Sequence, residues 1–124
     1  MAIYSSLPVY KDAYQLMISL YGFTKNMSRE YKYTLGERIK NESTDLILLI
    51  YQTNRENSQE KRDAINDAKI KVETIRLLVR MCHDLKLCKL RTFVNISEKV
   101  DTVSKQITAW SKYIESKLHS EPGT

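Results

Sequence analysis

The chain has 124 residues, enough for one domain with its own hydrophobic core and too few for two domains of ordinary size. With 42% hydrophobic and 28% charged residues, it reads as a folded soluble domain and not as a disordered chain. A net charge of +5 at pH 7 permits a polyanionic partner without requiring one.

Three glycines and two prolines occur, with Leu7-Pro8 near one end and Pro122-Gly123 at the other. No proline between them breaks a long helix, so composition favours an all-α fold. Met1 to Leu7 shows neither a charged n-region nor an apolar h-region, so no signal peptide is read. The longest apolar run, Leu46 to Tyr51, is far too short to span a bilayer, and no membrane partner is expected.

Ser5 or Ser6 can cap a first helix over about 8–26, with Pro8 in its first turn. Val9, Ala13, Leu16, Leu20, Phe23 and Met27 form its seam in steps of three and four. Tyr10, Tyr14, Met17 and Tyr21 form a second stripe. These tyrosines suit the edge of a bundle with hydroxyls reaching water. Tyr14, Met17 and Tyr21 are also candidates for a subunit contact.

Ser28 restarts the pattern, and a second helix is expected over about 28–53. Its seam is Leu35, Ile39, Glu42, Leu46, Leu49 and Thr53. Glu42 is the odd member, expected to reach the rim or to pair with Arg38 or a basic residue of a neighbouring helix. Gly36 costs about 1 kcal/mol of helix propensity against Ala, which a close helix approach would offset. The run through Ile47 and Ile50 is apolar all round, so this helix looks covered on two sides.

Asn54, Asn57 and Ser58 read as a short connection, with Ser58 a possible cap for a third helix over about 58–88. Ile65, Ala68, Val72, Ile75, Val79 and Cys82 make a heptad seam. A second apolar line holds Ile70, Leu77, Met81 and Cys88; a third holds Leu78 and Leu85, with Lys71 ahead of them. At about 100° per residue the three lines cover well over half the circumference. A surface helix of a monomer needs one apolar stripe. The third helix therefore reads as serving a core on one side and a partner on the other, and Ile47, Ile50, Ile70, Leu77 and Met81 join Tyr14, Met17 and Tyr21 as candidate oligomer contacts. Thr92 is a plausible cap for a fourth helix over about 92–118, with Phe93, Ile96, Val100, Val103, Ile107, Trp110 and Ile114 as its seam and one wet face opposite. A tail over 120–124 carries no packing signal. The fold expected is an up-down-up-down four-helix bundle that self-associates.

Little in the chain suggests catalysis. Of the two histidines, His119 has Glu115 four residues before it, a spacing that suits a surface ion pair, and His83 has no acidic or metal-ligating residue three or four positions away. No Glu-x-x-His, Gly-rich phosphate loop, CxxC or Gly-x-Ser-x-Gly motif occurs. No cofactor or metal is expected. Cys82 and Cys88, six apart on one helix, would point about 120° apart and serve as packing residues in a reducing, cytoplasmic setting.

What remains is binding. The polar sector of the third helix holds Arg62, Lys69, Arg76, Arg80 and His83, with Glu73 the one acid among them, and Lys86, Lys89 and Arg91 follow at its end. These eight are the candidate contacts to RNA or DNA. An ordinary solvated face would instead pair Arg80 with Asp84 and Arg76 with Glu73.

The stretch Tyr31-Lys32-Tyr33-Thr34-Leu35-Gly36-Glu37-Arg38-Ile39, with the four-helix layout and basic third helix, resembles the four-helix-bundle family of 23S rRNA intervening-sequence proteins. It is most similar to the branch holding the accessory variability determinant of diversity-generating retroelements. The intervening-sequence branch often ends its second helix with an Asn-Ile-Ala-Glu-Gly-like segment; Tyr51-Gln52-Thr53-Asn54 stands here instead, which favours the accessory branch. The resemblance implies a homopentameric barrel with a positive surface or pore. It also implies binding of nucleic acid and of a reverse transcriptase, aiding mutagenic cDNA synthesis, with Arg76 and Arg80 among the basic positions. The alternatives are a structural module whose basic face meets an acidic protein and, more remotely, a metal-dependent bundle enzyme.

Overall fold

In the computed structural model of the chain, residues 6–120 are described; Ser5, one of the expected caps, and nearly all of the expected tail lie outside them. Five helices follow one another: α1 Pro8–Lys25, α2 Arg29–Lys32, α3 Leu35–Arg55, α4 Ser58–Asp84 and α5 Leu90–Ser120. No strand occurs among the described residues. The four long helices form the expected all-α bundle. Each packs against two neighbours in the cyclic order α1, α3, α4, α5 and back to α1. Short connections make successive long helices antiparallel.

The heptad seams meet in one core. Val9, Ala13, Leu16 and Leu20 of α1 face Ile39, Leu46 and Ile50 of α3, the whole Ile65-to-Cys82 seam of α4, and Ile96, Val100, Val103, Ile107 and Ile114 of α5. Each Val, Leu or Ile among them contributes roughly 1.5–3 kcal/mol by leaving water. Phe23, Leu35, Leu49, Phe93, Trp110 and Leu118 close the edges half-buried. Ile50, expected at an oligomer contact, is fully enclosed in this core instead. An all-apolar run hides which of its members points inward, and Leu48 is the residue left outside.

Helix starts depart from the expectations in four places. Leu7, not Ser6, is the N-cap of α1, with Pro8 in its first turn. The second helix begins late: α2 is a separate turn, and α3 starts only at Leu35 after the N-cap Thr34. Gly36 explains this break. A methyl group at Gly36 would stand 3.2 Å from Met27 Sδ and 3.4 Å from the Tyr31 carbonyl, so its bare Cα lets α2 fold against the start of α3. The Thr34 hydroxyl donates to the Glu30 carbonyl at 3.0 Å and ties the turn down. Asn57, not Ser58, precedes α4 as its N-cap. Thr92 lies inside α5, which begins at Leu90.

The end of α4 comes four residues earlier than the periodicity suggests. Leu87 N–H donates to the Cys82 carbonyl at 2.9 Å and Lys86 N–H to the His83 carbonyl at 3.0 Å. This is the Schellman pattern, with Leu87 packed half-buried on the core behind it. Its left-handed residue is Lys86, at φ 61°. Cys88 therefore does not lie on the helix. It packs with Cys82 against the core, both as free thiols. Burial pushes the Cys82 thiol up to about 12, with Cys88 nearby adding to the shift.

One charged residue lies on the core seam. Glu42 is buried between α3 and α4. Arg38 donates to its Oε1 at 3.1 Å from one turn back, and Lys71 of α4 donates to Oε2 at 2.5 Å while also lying 3.4 Å from Asp45. Both partners foreseen for Glu42, Arg38 and a neighbouring-helix cation, are present at once. Burial alone would raise the Glu42 pKa, but the Lys71 and Arg38 hydrogen bonds outweigh it and hold the carboxyl below its ordinary 4.5. Lys71 is held above its ordinary value, chiefly by the Glu42 hydrogen bond.

Two stability measurements follow from these contacts. A lowered carboxyl pKa contributes stability that is complete above the unfolded value and is lost as pH falls through the folded one. Glu42→Gln is expected to cost about 1–3 kcal/mol at pH 7. The deficit should shrink as pH falls below about 4.5, read by urea denaturation at several pH values. Lys86→Gly is expected to stabilise the fold by about 0.5–1 kcal/mol, because glycine escapes the left-handed penalty of about 1–2 kcal/mol at the cost of a freer unfolded chain. The denaturant midpoint should rise at unchanged slope.

Candidate nucleic-acid interface

Burial of the α4 seam sets the rotation of that helix. With Ile65, Ala68, Val72, Ile75, Val79 and Cys82 inward, the flank about a quarter turn away meets α5, and the opposite flank meets α3. The basic residues lie on the α5 side. Arg62 Nε sits 2.5 Å from Glu115 Oε1 of α5. Arg76 donates to Glu73 at 3.1 Å and to Asp101 of α5. Arg80 Nε donates to Asp84 at 3.2 Å. The Asp101 carboxylate holds the Arg76 guanidinium above its ordinary range against the opposing pull of burial. The ordinary pairings Arg76–Glu73 and Arg80–Asp84 are thus formed, and α5 supplies two further carboxylates. Glu115 also receives His119 at 3.5 Å, the surface pair its spacing suggested.

Lys69 differs from the three arginines. It is exposed, has no carboxylate within ion-pair distance among the described residues, and lines a shallow depression of about 230 Å³ with Glu73, Ser104 and Thr108. His83 is not on an open face. Its ring stacks on Phe93 at 4.3 Å and 15°, and its Nδ1 is buried without a hydrogen-bond partner.

Lys86, Lys89 and Arg91 were expected together at a helix C-terminus. The structure separates them. Lys86 is the left-handed residue of the turn, Lys89 lies in the connection, and Arg91 is in the first turn of α5, which contains no acidic residue. All three are exposed and none has a carboxylate partner among the described residues. A cation at a helix N-terminus opposes the dipole, so the ordinary reason for cations at helix ends does not apply to Lys89 and Arg91.

The candidate oligomer residues divide. Ile70, Leu77 and Met81 form an open apolar stripe on the outer side of α4; Ile70 is 65% and Leu77 61% exposed, far more than a packed core position allows. Tyr14 and Tyr21 are exposed on α1, Met17 is half-buried, and Ile47 is half-buried against the core. The Tyr21 hydroxyl is hydrogen-bonded to the Thr44 hydroxyl of α3 at 3.0 Å, and Lys40 lies 5.7 Å above its ring, so this tyrosine belongs to the α1–α3 edge. Leu48 and Ile18 are two of the exposed apolar residues that the spacing did not single out. Leu48, 59% exposed, extends the α4 stripe across the groove shared by α3 and α4, which Leu48, Leu49, Gln52 and Ile70 line. Ile18 joins Tyr14 and Tyr21 at steps of four and three. Its spacing was a sufficient signal, obscured by the adjacent Met17.

Among the described residues, no group of three or more His, Cys, Asp or Glu side chains could hold a metal ion. No described helix is long and apolar enough to cross a membrane. No curated protein matches the chain. A family model described as bAvd-like matches residues 8–114, which span all five helices apart from the end of α5. With most of its length matched, the chain belongs to the bAvd-like family, the accessory variability determinant branch that its Tyr31-to-Ile39 segment resembles.

Proposed function

We propose that this chain is a non-enzymatic, self-associating accessory protein that binds RNA or DNA and assists a retroelement reverse transcriptase in mutagenic cDNA synthesis. Family membership supports the accessory role. The observation that carries self-association is the open stripe of Ile70, Leu77 and Met81 beside Leu48, which the chain's own helices leave in water. Closure of such a face-to-flank contact makes a ring, for which a homopentamer is the assembly we propose. The interior of such a ring is where the basic flank of α4 would gather charge from several copies. A cytoplasmic location fits the two free thiols.

The nucleic-acid role must accommodate the carboxylates beside the arginines. Exposed ion pairs contribute only about 0–1 kcal/mol each, so a phosphate can displace Glu73, Asp84 or Asp101 at little cost. The same pairing favours a second reading. A near-neutral flank suits a protein-interaction module of the rRNA intervening-sequence family, with no direct nucleic-acid role.

Retention of labelled RNA and DNA at two salt concentrations separates the two. The first reading expects binding whose logarithm falls with the logarithm of salt, and a weaker, shallower dependence for Arg76→Ala with Arg80→Ala. Asp101→Asn, which frees Arg76, should strengthen binding. Retention of neither probe by the unsubstituted protein would favour the interaction module. For assembly, the solution mass should be about five times the 14.5 kDa of one chain. Ile70→Asp with Leu77→Asp should reduce it to one chain at unchanged helix content. A wild-type protein that sediments as a monomer would remove the pentamer.

A further inference from the structure

The positive charge of this protein is concentrated at one end of the bundle. There α1 ends, α2 sits, α3 begins, and the α4–α5 connection turns. Residues 22–40 and 80–95 make up this end; they hold nine Lys or Arg and three Asp or Glu, a net of +6. The whole chain carries +5, so everything else sums to −1. The flank of α4 contributes little to this excess, because Arg62 and Arg76 are answered by Glu115 and Asp101.

Pairing within the end sharpens the contrast. Arg38 is held by Glu42, Lys40 by Glu37 and Arg80 by Asp84. The remaining six cations, Lys25, Arg29, Lys32, Lys86, Lys89 and Arg91, have no carboxylate within ion-pair distance among the described residues. Glu30 is the single acid of the three left without a cation there. Lys25, Lys32 and Lys40 line one depression, so like charges stand near one another at this end and repel.

Two further features mark the same end. Lys86 occupies a left-handed position that glycine would fill at lower cost, so a positive charge is kept at the turn against the conformational preference of its backbone. Tyr33, between α2 and α3, is the most exposed aromatic side chain of the described residues at 66%, with Lys32 lying 6.0 Å from its ring centre. An open aromatic face beside unpaired cations is the pairing that single-stranded nucleic acid uses: phosphates on the cations and a base on the ring. An acidic protein surface would use the charge but has no need of a stacking face.

We infer that this end of the bundle, with Arg29, Lys32 and Tyr33 on one side and Lys86, Lys89 and Arg91 on the other, is a binding surface for single-stranded nucleic acid. The inference rests on the nucleic-acid reading above and moves its centre from the arginine flank of α4 to the helix ends. Through Arg29 and Lys32, α2 is part of this surface.

Fluorescence anisotropy with labelled single-stranded RNA and DNA, across a salt series, tests it. Arg29→Glu with Lys32→Glu should weaken binding at least ~10-fold and flatten the salt slope by roughly 1.5, the value for two lost phosphate contacts on a single strand. Arg29→Lys with Lys32→Arg should retain both affinity and slope. Tyr33→Ala should lose about five-fold or more in affinity while leaving the slope unchanged, since stacking releases no counterions. Lys86→Gly should bind more weakly while unfolding at a higher denaturant concentration, a combination that a purely structural role cannot produce. Circular dichroism on each variant establishes that it is folded. Undiminished binding in the α2 variants, together with loss in Arg76→Ala and Arg80→Ala, would overturn the end surface and leave the proposed function standing. Polyglutamate competing as well as unlabelled RNA at equal charge would overturn the choice of ligand. A wild-type protein that retains none of the probes would overturn both readings.

Discussion

The rotation of α4 about its own axis is the constraint from which the rest follows. Six seam residues, Ile65 to Cys82, are driven out of water together, and a helix has only one orientation that satisfies all of them. Once that orientation is taken, Ile70, Leu77 and Met81 have no choice but to stand outside, and Arg62 and Arg76 must face α5. The buried Glu42 with Lys71 and Arg38 secures the same rotation from the α3 side, because its hydrogen bonds are made only when Lys71 points into that groove. Hydrophobic burial sets the angle, and a buried charge cluster penalises small departures from it.

The antiparallel register of α4 and α5 determines what the arginines can do. Arg62 meets Glu115 and Arg76 meets Asp101; in both pairs the residue numbers add to 177. Two helices of equal rise running in opposite directions around one turn keep that sum constant. Lys69 and Thr108, which line one depression together, obey it too. The register thus places a carboxylate opposite each of two arginines and an uncharged threonine opposite the lysine. A flank that looks like a row of four cations and a histidine on α4 alone becomes a nearly balanced seam between two helices. Net positive charge is left where no helix lies opposite, at the bundle end.

Much of the architecture was legible because it repeats. Seams of α1, α4 and α5 recur every three or four residues over several turns, and an error at one position is corrected by its neighbours. Local events were less legible. The break at Tyr33-Thr34 depends on the space Gly36 leaves for Met27 and Tyr31, residues that a linear pattern treats as one continuous stripe. The end of α4 depends on Lys86 adopting a conformation its side chain disfavours, and no residue preference announces that. Ile50 is enclosed and Leu48 stands in water, a difference the sequence did not show because an unbroken apolar run carries no phase.

The amino-acid order by itself determined that the chain is helical, how many long helices it has, and which stripe of each is greasy, since these depend on spacing along one helix. It also carried the family, through a short segment at the α2–α3 junction. Only the tertiary structure decided which cations remain available. Electrostatic partners across a helix pair are fixed by register and rotation, and both are settled by the core and the turn, not by any residue's immediate neighbours.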